Sequence, residues 1–112
     1  MCVYKIEEIA DKVRPIAKNY DIGKIYLFGS YARGEANEDS DIDLLVDADN
    51  VHGLGFFALC GDLEEALEKK LDIVTENALY NEHKNDRLAT KLRTEIEKDG
   101  VLIYDRQRQE YS

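Results

Sequence analysis

The chain is short of cysteine, proline and positive charge, and it has no long apolar run. Its two cysteines, Cys2 and Cys60, have no CxxC spacing and no Cys/His cluster around them. That pattern argues for reduced thiols rather than a disulfide framework or a zinc site. No apolar stretch approaches the roughly 20 residues that a membrane helix needs. Met1 to Asn19 is amphipathic and already carries Glu7, Glu8 and Asp11, unlike a secretory leader. A cytoplasmic protein without membrane contact is expected. Lysine and arginine number 15 against 24 acids, a net charge of −9. Proteins that grip nucleic acid by its backbone normally show a basic face, so direct nucleic-acid binding is not expected. A basic protein partner, or a metal-bound nucleotide, suits this chain better.

Repeats, low-complexity tracts and linkers are also missing. The 112 residues fit one domain, 1–112, with one modest core. Val3 to Tyr20 reads as a helix, with Ile6, Ile9, Ala10, Val13, Ile16, Ala17 and Tyr20 at three- and four-residue steps. Pro15 inside that pattern predicts a kink or two short helices, and Gly23 a stop. Lys24 to Phe28 is a short strand. Ser30 to Arg33 is a helical turn, and Glu35 to Ser40 a polar loop. Asp41 to Asp47 is a second strand, whose central Leu-Leu-Val suggests burial on both faces. Leu54 to Lys70 is a helix with Phe56, Leu59, Cys60, Leu63 and Leu67 on one stripe. Glu64, Glu65, Glu68 and Lys69 read as its solvated face. Leu71 to Thr75 is a third strand. Asp86 to Lys98 is a helix with Leu88, Leu92 and Ile96 inward and Gly100 as its cap. Val101 to Tyr104 reads as an edge strand, and the tail after Asp105 as frayed. Such alternation predicts an α/β (α+β) fold, a small mixed sheet packed by helices.

The chemistry gathers in "LFGSYARGEANEDSDIDLLVD", Leu27 to Asp47. Residues two apart on a strand share a face, so Asp41 and Asp43 point one way while Ile42 and Leu44 point into the core. Two carboxylates this close repel and raise each other's pKa unless a cation intervenes. Hard Mg²⁺ prefers carboxylate oxygen. A solvated turn would explain the pair alone, but two further features count against that. Asp72, in "LDIVT", opens the next strand, where an unpaired acid is costly if buried. If that strand lies beside Asp41 to Asp47, the three acids form a site for two metals. Gly29-Ser30 presents backbone N–H groups and a hydroxyl to an anion, Gly29 permits close approach, and Arg33 follows within a turn. The GxxxxGK[ST] spacing of a P-loop is missing. A nucleoside triphosphate with Mg²⁺ satisfies both halves.

At these residues the sequence resembles the DNA polymerase β-like nucleotidyltransferase superfamily. It is most similar to the minimal nucleotidyltransferases, the MntA-type antitoxins of HEPN/MNT toxin–antitoxin pairs. Their signature is Gly-Ser, ten residues, then Asp-x-Asp. Here Gly29-Ser30, Tyr31 to Ser40 and Asp41-Ile42-Asp43 match it. The resemblance implies the polymerase β-like fold, with Asp41, Asp43 and Asp72 as catalytic metal ligands. Two Mg²⁺ ions would accompany bound nucleotide, and Gly29, Ser30 and Arg33 would bind it. One metal would polarise the attacking hydroxyl and the other would hold the departing pyrophosphate. It further implies AMP transfer from ATP to a tyrosine of a HEPN-domain toxin, an RNase. Two alternatives stay open: a non-catalytic antitoxin that occludes its partner, and a small-molecule nucleotidyltransferase. The second usually needs an added helical domain. His52, His83, Asp39, Asp47, Asp49, Lys91 and Arg93 read as surface or strand-end residues, and Tyr26, Tyr31 and Tyr104 as packing residues.

Overall fold

In the computed structural model, residues 4–82 and 85–107 are described. Cys2, His83 and the expected helix start at Val3 lie outside them. In chain order the elements are α1 (Ile6–Asn19), β1 (Lys24–Phe28), α2 (Ser30–Arg33) and β2 (Ile42–Asp47). Then follow α3 (Leu54–Leu67), β3 (Leu71–Thr75), a wide π-type turn (Ala78–Glu82), α4 (Arg87–Asp99) and β4 (Val101–Asp105). Among the described residues no helix is long and apolar enough to cross a membrane.

The strands form one mixed sheet in the order β3-β2-β1-β4. β1 pairs antiparallel with both β2 and β4, whereas β2 and β3 run parallel. β2 therefore has a strand on each side, and its alternating residues feed two cores. Ile42, Leu44 and Val46 join Ile9, Val13, Leu59, Leu63 and Leu67 under α1 and α3. Leu45 joins Phe28, Leu79, Ala89 and Ile96 under α4 and the wide turn. Fully burying one such side chain contributes about 1.5–3 kcal/mol. Tyr4 Oη donates to Leu67 O at 2.7 Å, tying the lead into α1 to the end of α3.

At the start of α1, Lys5 N donates to Glu8 Oε1 at 2.8 Å, so the Glu8 side chain caps the lead into the helix. It runs through Pro15 as one helix rather than two. Pro15 is exposed, so the carbonyl that loses its intrahelical donor can turn to water. Leu88 does not face inward as its spacing predicts. It is 66% exposed, and Ala89 is buried instead. Leu88 lies on the rim of a shallow hollow with Val74, Leu79 and Leu92. Arg93 is not a solvated residue either, since its Nη1 donates to Leu79 O at 2.7 Å. Gly100 caps α4 with φ −64°, outside the left-handed region. Its lack of a side chain matters because a Cβ would press on Ile96 O. The expected frayed tail begins with Arg106 held to Asp21, Nη1 to Oδ1 at 3.0 Å.

Candidate active site

Three elements end together at one end of the sheet: the last residue of β1 and the first residues of β2 and β3. The register places Asp43 opposite Phe28 on one side and Asp72 on the other. Cross-strand partners share a face, so Asp43 and Asp72 lie side by side on the α4 face. Asp41 stands one residue before β2 begins, and it is exposed. Asp72 is also exposed, because β3 is the edge strand. The cost of a buried acid is thus not what marks Asp72; its register beside Asp43 is.

Asp43 carries the electrostatic strain. Its pKa is pushed up to about 6, by burial first and then by the charges of Asp72 and Asp41. Arg33 works against that rise, and Glu95 on α4 adds to it. Gly29 explains how the carboxylate fits. Its backbone takes φ 77° and ψ −153°, a region that glycine alone occupies comfortably. A Cβ there would collide with Asp43 Oδ2, and the carboxylate carbon would be only 3.0 Å away. The glycine that sequence reasoning reserved for a ligand therefore makes room first for a carboxylate.

Gly29 is also the N-cap of α2 and has no side chain to cap its first amides. Gly29 O accepts from Arg33 N at 3.1 Å and Ser30 O from Glu35 N at 2.9 Å, which fix the turn. Ser30 follows Gly29 as the first residue of α2. Arg33 reaches the same end, but its Nε donates to Glu35 Oε1 at 3.0 Å. That contact holds its pKa above the usual guanidinium value.

Among the described residues, no three His, Cys, Asp or Glu side chains stand close enough to surround an ion. The donors nonetheless fit Mg²⁺ in kind. They are carboxylate oxygens on adjacent strands, and a cation among them would turn the repulsion on Asp43 into attraction. Sequence reasoning missed two residues at this end. Glu95 carries no local signal, because only the packing of α4 across the sheet brings it near Asp43. Lys69 read as solvated, yet its Nζ donates to Glu38 O at 2.9 Å.

The profile of the family described as "Polymerase beta, Nucleotidyltransferase" matches residues 11–109. The chain belongs to this nucleotidyltransferase family. A Methanocaldococcus jannaschii relative, provisionally named a protein adenylyltransferase, is 38% identical over 103 residues, 88% of this chain and 95% of its own. The Thermococcus cleftensis protein adenylyltransferase MntA is 36% identical over 84 residues, 70% of this chain and 85% of its own. A chain in a crystal structure of a toxin–antitoxin with AMP-PNP superposes with a TM-score of 0.65 at 25% identity. That match covers 89% of this chain and 76% of the other. The fold is thus the mixed-sheet nucleotidyltransferase fold that the resemblance implies.

The raised pKa gives a signed expectation. Asp43 binds its proton more tightly in the folded state than in the unfolded state. Its contribution to stability is therefore present below pH ~4 and lost as pH rises through about 6. In metal-free protein with chelator, Asp43→Asn should melt higher than wild type at pH 8. The gap should close by pH ~4. Melting temperature against pH for both proteins reads this directly.

Proposed function

We propose that residues 1–112 act as one nucleotidyltransferase domain that transfers AMP from ATP to a tyrosine of a HEPN toxin, acting as its antitoxin. The observation that carries the reading is the register of Asp43 against Asp72, with Gly29-Ser30 alongside. It sets the Gly29-Ser30 turn next to a crowded carboxylate group at one end of the sheet, which supports reading the turn as the phosphate holder. The protein adenylyltransferase name of the Thermococcus relative supports the reaction. The toxin–antitoxin with AMP-PNP supports both the kind of partner and an adenine nucleotide.

In this reading the amides around Gly29 and the Ser30 hydroxyl hold the triphosphate. Arg33 adds a contact when it leaves Glu35. Asp41, Asp43 and Asp72 would hold Mg²⁺, which would supply neutralisation of phosphate charge and polarisation of oxygen. The acceptor oxygen forms a bond to the α-phosphorus, the bond to the bridging oxygen breaks, and pyrophosphate departs. The hydroxyl proton passes to solvent or a nearby carboxylate. The acidic surface suits an acceptor protein with basic residues around its tyrosine. On an RNase, the added phosphate places negative charge where RNA phosphate would sit, repelling it.

The test mixes the purified protein with a HEPN protein encoded beside it, ATP and Mg²⁺, and weighs the partner. The expected result is a gain of one or more AMP units, lost in the Asp41→Asn/Asp43→Asn double variant while its circular dichroism stays native. A stable complex with no gain under any nucleotide contradicts transfer and points to occlusion. Ser30→Ala should slow transfer by about tenfold, the worth of roughly one hydrogen bond to phosphate. Initial rates at saturating and limiting ATP measure it.

A further inference from the structure

The turn between α3 and β3 reaches back to the loop that leads into Asp41. Glu68 ends α3 in a left-handed conformation, φ 53°, and Lys69 follows it. Lys69 Nζ donates to Glu38 O at 2.9 Å. The same ammonium lies 5.9 Å from the centre of the Tyr31 ring, within cation–π range. Tyr31 is 3% exposed and directly follows Ser30. One residue on, Lys70 O accepts from Ile42 N at 3.1 Å. A single turn therefore touches the phosphate turn, the loop and the start of β2.

Within the loop the bonds are local. Asn37 N donates to Ser40 Oγ at 2.9 Å, and Asp39 N to Asn37 Oδ1 at 2.9 Å. Ser40 N donates to Asn37 O at 3.0 Å. These shape the loop internally. Its first residues are held by Glu35 N donating to Ser30 O and by Ala36 packed against the core under α1 and α3, and Lys69 adds a fixed point further along, at Glu38. An ammonium held by a carbonyl and over a ring at once is better localised than one in an exposed ion pair.

We propose that Lys69 is a positioning residue that clamps the connection between Gly29-Ser30 and Asp41 against the sheet edge. Phosphate donors and carboxylates then face the same nucleotide. This rests on the transferase reading above, and it assigns Lys69 no contact with the reacting atoms.

Two variants test it. Lys69→Met keeps the aliphatic stem and removes the cation, whereas Lys69→Arg keeps a cation able to reach a carbonyl and a ring. Amide hydrogen exchange in nucleotide-free protein reads the loop directly. The amides of Asn37, Asp39 and Ser40 should exchange about tenfold faster in Lys69→Met, with those of β1 and α3 unchanged. Calorimetric affinity for ATP with Mg²⁺ should fall by about tenfold in Lys69→Met and recover in Lys69→Arg. Unchanged loop exchange in Lys69→Met overturns the proposal even if affinity falls, because Lys69 would then act on phosphate directly. Faster exchange throughout the chain also overturns it, by showing a residue that only stabilises the fold. Wild-type protein that takes up no ATP with Mg²⁺ sinks the transferase reading instead. The exchange comparison then decides by itself whether Lys69 holds the loop.

Discussion

The repulsion centred on Asp43 governs this end of the molecule. A half-buried carboxylate stands beside Asp72 in register, with Asp41 two residues upstream, and its proton affinity rises accordingly. The fold sustains the arrangement because β2 is inner and buried on both faces, so its position is fixed by two cores at once. A carboxylate in that strand cannot drift away from its neighbours. Gly29 completes the constraint, since any side chain there would displace the carboxylate. The site is therefore strained by its own charges, and the metal ion of the proposed reading would relieve that strain.

Division of labour between the two sheet faces follows from the same strand. Ile42, Leu44 and Val46 seal the face under α1 and α3. The opposite face is apolar in its middle, at Leu45, and charged at its end, at Asp43. α4 covers the apolar part and brings Glu95 toward the charged part, leaving the first residues of β2 and β3 open. Stability and chemistry are thus separated along one face rather than between layers. The turn at Gly29-Ser30 is the continuation of β1, so it inherits its position from the strand paired with Asp43.

Much of this was legible in the sequence, because the strands and helices follow strong local patterns. The strand limits at Lys24–Phe28 and Leu71–Thr75 and the single turn at Ser30–Arg33 come directly from residue type and spacing. The spacing from Gly29-Ser30 to Asp41 and Asp43 carried the family. What local pattern could not carry was placement across the sheet. Asp72 read as an acid in a core strand, whereas only strand order shows that β3 is an edge. Leu88 and Ala89 are adjacent, and helical periodicity favours the larger; the approach of α4 to the sheet selects the smaller. Pro15 read as a break, but its exposed position lets the helix pass. Lys69 belongs by spacing to an acidic, solvated helix face. The left-handed Glu68 before it ends the helix and redirects its side chain to Glu38. The wide turn at Ala78–Glu82 follows no periodic pattern and went unseen.

The most direct measurement is the melting temperature of the protein with Mg²⁺ alone, ATP alone and both together, at a pH above 7. If the crowded carboxylates and the Gly29-Ser30 turn form one nucleotide site, each ligand completes the site for the other. The gain with both should exceed the sum of the separate gains, reaching about 2.7 kcal/mol at a hundredfold excess over Kd. Asp43→Asn should lose that excess while keeping its fold. No gain with both ligands, or an equal gain in Asp43→Asn, would contradict the assignment of this end of the sheet as the nucleotide site.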